Sequence, residues 1–128
     1  MKIVDVVCAV IWKDGKILVA QRSEKMSLPL KWEFPGGKLE AGESEEECLH
    51  RELQEELNIS VKILTRMQEN LHDYDDFRIR LIPFEVEYVG GEIVLAEHLD
   101  VKAFSKEELK ELDWAPADWP ILKELLRS

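Results

Sequence analysis

The chain has 128 residues, of which 45% are apolar and 34% charged, a composition ordinary for a globular domain able to bury its own core. Its formal charge of −10 disfavours long nucleic acids, which reward basic surfaces, yet leaves room for a small polyphosphate bridged through divalent cations. No apolar run has the length of a membrane span, and Asp5 interrupts any signal-peptide layout in MKIVDVVCAV, so a cytoplasmic protein without a membrane partner is expected.

In chain order, Lys2 to Lys13 is rich in Val and Ile and predicts a largely buried strand. Asp14-Gly15 is a tight-turn signal, and Lys16 to Gln21 is the returning strand of a hairpin. Arg22 ends it, and Ser23 to Lys31 predicts a surface loop. Ser44 and Glu47 form a capping box that opens a helix, along which Leu49, Leu53 and Leu57 make one apolar stripe. Ser60 to Gln68 and Arg78 to Tyr88 are expected strands, with Asp73-Tyr74-Asp75-Asp76 as a polar tip between them and His72 a surface residue beside it. Gly90-Gly91 marks a turn, and short strands are predicted over Glu92 to Ala96 and Val101 to Phe104. Ser105 with Glu108 caps a further helix, and Ala117 to Arg127 predicts a last one with Ile121, Leu122, Leu125 and Leu126 inward. Cys8 and Cys48 are expected as small buried side chains. Strands interspersed with helices predict an α/β layered sandwich, a single domain over residues 1–128.

The densest chemistry lies from Trp32 to Ile59, WEFPGGKLEAGESEEECLHRELQEELNI. Glu52, Glu55 and Glu56 are spaced i, i+3, i+4, which puts three carboxylates on one stripe of the helix. Like charges so close repel, so a cation belongs there, and hard oxygen ligands suit Mg²⁺ or, as a substitute, Mn²⁺. A glutamate-rich helix is otherwise a plain solvated face, and the loop ahead of it decides between the two. Gly37, five residues, Glu43, seven residues, Arg51-Glu52-Leu53, one residue, Glu55-Glu56, one residue, Asn58 and Ile59 together resemble the Nudix box. The family has glycine where this chain has Asn58. Asparagine tolerates the left-handed conformation that ends helices, so the loop–helix–loop is expected to survive.

This resemblance implies a Nudix-type α/β/α sandwich around a mixed β-sheet and hydrolysis of a phosphoanhydride bond. It implies Glu52, Glu55, Glu56 and the Gly36 carbonyl as metal ligands, Arg51 as the residue that steadies a box carboxylate, and Glu43 as support from the loop. Glu97, in the AEHLD segment with His98 and Asp100, resembles a further metal-binding glutamate or general base of MutT-type enzymes. Arg22, Phe34, Lys38 and Asp118 are the implied substrate-binding residues. Asp118 opens the last helix where MutT-type enzymes carry the asparagine that reads 8-oxoguanine. An ionised aspartate only accepts hydrogen bonds, and cytosine offers an exocyclic amino donor. The run APAD, DGKILVAQR and LKWEFPGGKLE also resemble the CTP pyrophosphohydrolase branch. The expected reaction is therefore (d)NTP to (d)NMP and diphosphate, favouring cytidine nucleotides, by a monomer or homodimer. The rivals are an 8-oxo-dGTP diphosphatase and a non-catalytic nucleotide sensor. Trp32, Phe34, Trp114 and Trp119 could stack on a base, although aromatic residues in such places are commonly core.

Overall fold

The structure, a computed structural model, describes residues 2–127. The strands are β1 (Lys2–Lys13), β2 (Lys16–Gln21), β3 (Trp32–Glu33), β4 (Gly36–Lys38), β5 (Ser60–Arg66), β6 (Asn70–Asp73), β7 (Phe77–Gly90) and β8 (Asp100–Phe104). The helices are α1 (Glu45–Leu57), α2 (Lys106–Leu109) and α3 (Trp119–Arg127), the last preceded by one 3-10 turn over Pro116–Asp118. β1 and β7 run parallel from Lys2 opposite Phe77 to Trp12 opposite Glu87, while the other pairings are antiparallel, so the sheet is mixed.

Alternation along β1 explains the layering. Val7, Ala9 and Ile11 join Leu49, Leu53 and Leu57 of α1 on one face. Cys8 and Val10 join Leu109 of α2 and Ile121, Leu122 and Leu125 of α3 on the other. Both faces of the central strand are thus covered, which is why its sequence reads as a near-continuous apolar run. The three α1 leucines are completely buried, each contributing about 1.5–3 kcal/mol of transfer free energy. Cys8 and Cys48 are free and buried in these cores.

Local signals set the ends of the elements. Asp14 and Gly15 both have positive φ, as the hairpin turn requires. The Ser44–Glu47 and Ser105–Glu108 capping boxes are formed in both directions. Asn58 takes φ 60° and ψ 38° and returns its N–H to the end of α1, so the asparagine does what glycine does in this position.

One prediction is corrected. Residues 92–96 are not a strand but an irregular segment lying along the C-terminal end of α1. The N–H of Val94 donates to the carbonyl of Leu57 at 3.0 Å, that of Ala96 to Glu56 at 3.2 Å, and the Asn58 amide donates to the Glu92 carbonyl. The Val94 and Ala96 N–H groups thus satisfy open carbonyls of the helix end rather than a sheet ladder. The short β3, β4 and β6 were not among the predicted strands, and the last helix begins with a 3-10 turn.

Candidate active site

β1 changes partner along one edge, and this change opens the site. Val6–Cys8 pair with Lys38–Gly36 of β4, whereas Ile11–Lys13 pair with Leu18–Lys16 of β2. Between the two ladders the Ala9 N–H donates to the Pro35 carbonyl at 2.9 Å. The Glu33–Pro35 stretch therefore crosses from the edge of β2 to that of β1. A cleft of about 710 Å³ lies over this crossing, within the range of small-molecule sites.

Several residues singled out in the sequence line the cleft. Arg22, Phe34, Gly36, Lys38, Glu56, Glu97 and Asp118 all face it. Glu52, Glu55, Arg51 and Glu43 stand beside it as a connected group. Arg51 grips Glu43 with two bonds of 2.6 and 2.9 Å and reaches Glu52 at 2.9 Å and Glu55 at 3.1 Å. The bidentate grip holds the Glu43 carboxyl down at about 2. Glu43 thus faces Arg51 rather than the cleft. Glu55 is the most open of Glu52, Glu55 and Glu56, with 60% of its side chain exposed.

The glycines of the loop seat the helix carboxylates. A Cβ on Gly37 would lie 2.2 Å from the Glu52 carboxyl, and one on Gly36 would lie 1.9 Å from the Val7 carbonyl. Glu52 is therefore laid directly over bare backbone next to Gly36. Burial pushes the Glu52 and Glu56 carboxyls above the ordinary range, and Glu97 adds to the shift at Glu56 by repulsion. Arg51 offsets part of this at Glu52, and His98 part of it at Glu56.

Among the described residues, no three His, Cys, Asp or Glu side chains are drawn together into a finished ligand set. The donors nonetheless fit a divalent ion: half-buried carboxylates that repel one another, all-oxygen chemistry, and a glycine cradle that leaves Glu52 room. Glu52, Glu55, Glu56 and Glu97, with the Gly36 carbonyl, could hold one.

The 3-10 turn ahead of α3 also contributes to the cleft lining. Asp118 is only 6% exposed and accepts the Phe34 N–H at 2.7 Å. Burial, and then the nearby Glu33 charge, push its carboxyl well above the aspartate range. Phe34 is buried against Trp114 with ring centroids 4.7 Å apart, so most of its surface is core and only part faces the cleft. Trp32 packs edge-on against Phe104, and Trp119 is 42% exposed outside the cleft lining. Arg22 donates to Glu33 at 2.7 Å and to the Ser27 carbonyl, so its guanidinium is tied into the rim. Asp100 turns back to accept its neighbour Val101 N–H and closes the start of β8.

Glu33 is the residue that sequence reasoning missed. It sits between Arg22 and His98, bonding His98 Nε2 at 2.8 Å. An acid between two aromatic residues, Trp32 and Phe34, was the available signal, since a charge flanked by core side chains must find buried partners.

A family profile described as NUDIX domain matches residues 1–125. The chain is 36% identical to the CTP pyrophosphohydrolase of Escherichia coli K12, over 98% of this chain and 93% of that protein. It is 31% identical to the 8-oxo-dGTP diphosphatase of the same organism, over 90% of this chain and 89% of that one. The solution structure of the MutT protein, a Nudix family hydrolase, from methicillin-resistant Staphylococcus aureus 252 superposes with a TM-score of 0.80 at 42% identity, covering 99% of this chain and 98% of that one. The chain belongs to the Nudix family, hydrolases that cleave phosphoanhydride bonds in small nucleotides and generally use divalent metal ions.

Proposed function

We propose that this enzyme hydrolyses nucleoside triphosphates to the monophosphate and diphosphate with Mg²⁺, and that it favours cytidine nucleotides. The observation that carries this reading is one cleft lined by two unlike sets of groups. Glu56 and Glu97, with Glu52 beside them, form an acidic set suited to metal and phosphates, and the buried Asp118 is a polar group suited to a base edge.

The residues divide the work accordingly. Glu52, Glu55 and Glu56 would hold the divalent ion, with the Gly36 carbonyl and Glu97 as further oxygens. When bound, the ion supplies charge neutralisation on the phosphoryl oxygens and acidifies a water. Arg51 fixes Glu52 and Glu55 in orientation through Glu43, because its fork is itself clamped. Lys38 lies on the rim where it can meet phosphate oxygens. A carboxylate of this group that faces the cleft takes the proton of the attacking water, and Glu97, exposed in the cleft lining, is placed to do so.

Cytidine is favoured because Asp118 can accept the exocyclic amino group of cytosine and because a relative with that named activity aligns over nearly the whole chain. One observation supports a second reading, an 8-oxo-dGTP diphosphatase. Burial favours the neutral acid at Asp118, and a neutral carboxyl donates as well as accepts. It then matches the O6 and N7–H edge of 8-oxoguanine as well as the N3 and amino edge of cytosine.

Diphosphate release with Mg²⁺ across CTP, dCTP, 5-methyl-dCTP, dGTP, 8-oxo-dGTP, ATP and UTP tests the proposal. The expected result is a kcat/KM for a cytidine nucleotide at least about tenfold above the rest, or about 1.4 kcal/mol of discrimination. Preference for 8-oxo-dGTP would replace the first reading by the second. Silence across the panel, with nucleotide binding retained, would leave a sensor.

A further inference from the structure

We propose that His98 is a positioning residue for Glu56, holding the carboxylate in the orientation that faces the metal; this rests on the reading of Glu56 as a ligand. The imidazole is 3% exposed and lies between Glu33 and Glu56. Glu33 uses one oxygen for Arg22 at 2.7 Å and the other for His98 Nε2 at 2.8 Å. A carboxylate that is already paired with a guanidinium accepts, so Nε2 carries a hydrogen. Nδ1 is left without a hydrogen-bond partner, and the Glu56 Oε2 lies 3.7 Å from it. A buried ring nitrogen without a partner is costly. A shift of about 1 Å would bring the Glu56 Oε2 to hydrogen-bonding distance of Nδ1, where a ring with hydrogens on both nitrogens donates to the carboxylate.

The rest of the loop shows that this ring is not needed to hold the backbone. Val94 and Ala96 are tied to the last carbonyls of α1, and the Leu99 N–H donates to the Gln21 carbonyl at 2.9 Å. The segment is thus fastened on both sides of His98, and the imidazole is free to act on side chains. It completes a relay of Arg22, Glu33, His98 and Glu56 running from the loop rim to α1. Partners that orient a metal ligand from behind are worth about 10–100-fold in metal affinity.

Mn²⁺ binding, followed by the loss of the free-ion EPR signal, reads this role without turnover. His98→Ala should weaken Mn²⁺ about 10–100-fold and lower kcat while leaving the KM for nucleotide near the parent value. Asparagine places a polar nitrogen where Nδ1 stands and glutamine where Nε2 stands. His98→Asn should therefore keep Mn²⁺ affinity within about threefold of the parent, and His98→Gln should behave like His98→Ala. The inference is overturned if His98→Ala binds Mn²⁺ as the parent does, or if glutamine rescues and asparagine does not. Unfolding of the metal-free variants separates a folding defect from the claimed effect, and a His98→Asn chain that is folded but weak in Mn²⁺ also overturns it. Glu56→Gln is the control for the underlying reading: parent-like Mn²⁺ binding there would remove Glu56 from the site, whatever His98 does.

Discussion

Asp118 sits where an ionised carboxylate is poorly accommodated. Its burial and the charge of Glu33 raise it, while the Phe34 N–H and Arg22 only partly offset them. A carboxyl raised in the folded state stabilises the fold fully below the ordinary aspartate value of about 3.9, and that contribution is lost as pH rises through the raised value. Asparagine keeps the acceptor for Phe34 and cannot ionise. Asp118→Asn should therefore be more stable than the parent at pH 8 by about 1–3 kcal/mol, the desolvation cost of an imperfectly paired buried group. Near pH 3.5 the two should unfold together. Urea denaturation at both pH values checks this, and an equal gain at both would assign the effect to packing instead. Asp118 was singled out in the sequence because its segment resembles the base-recognition corner of MutT-type enzymes. The upward shift of its carboxyl was not legible there, because the sequence does not show that the chain folds Glu33 and Phe34 near it.

Loop and helix form one device at the scale of the element. The spacing from Gly37 to Ile59 was readable because it repeats physical demands: glycines where backbone is crowded, a capping box, and leucines on one stripe. What the spacing did not reveal is that the two adjacent glycines do different things. Gly36 gives β4 its approach to β1, so a methyl there meets the Val7 backbone. Gly37 gives the Glu52 carboxyl its seat, so a methyl there meets only the end of a flexible side chain. Gly37→Ala should fold normally and lose about 10²-fold in kcat, since a displacement of about 1 Å at a reacting centre costs that much. Gly36→Ala should lose stability outright, by about 1–3 kcal/mol or more. Thermal unfolding beside diphosphate release distinguishes them, and similar profiles for the two variants would contradict the separate roles. The segment over 92–96 was misread for a related reason: its apolar residues suit a strand, but its N–H groups meet carbonyls of α1 that only the tertiary fold brings near.

Across the whole molecule, the α/β layering could be read from composition and alternation, but the sheet order could not. The parallel pairing of β1 with β7 joins segments far apart in sequence, and β3 and β6 are too short to announce themselves. The same global view frames the charge. With a formal charge of −10 and raised carboxyls at Glu52 and Glu56, the fold carries electrostatic repulsion that a bound cation relieves. A ligand that binds only the folded chain stabilises it by mass action, about 2.7 kcal/mol at a hundred times its dissociation constant. For a chain of this size that corresponds to a rise in Tm on the order of 10 °C. Mg²⁺ or Mn²⁺ at saturating concentration should produce such a rise, and EDTA should reverse it. Glu56→Gln should be at least as stable as the parent without metal, because one repelling, desolvated charge is gone, yet show little further gain when metal is added. Calorimetry of both chains with and without Mn²⁺ makes the comparison. A parent-sized shift in the glutamine variant would mean that the ion binds elsewhere on this acidic surface, and the catalytic cleft would then need a different source of positive charge.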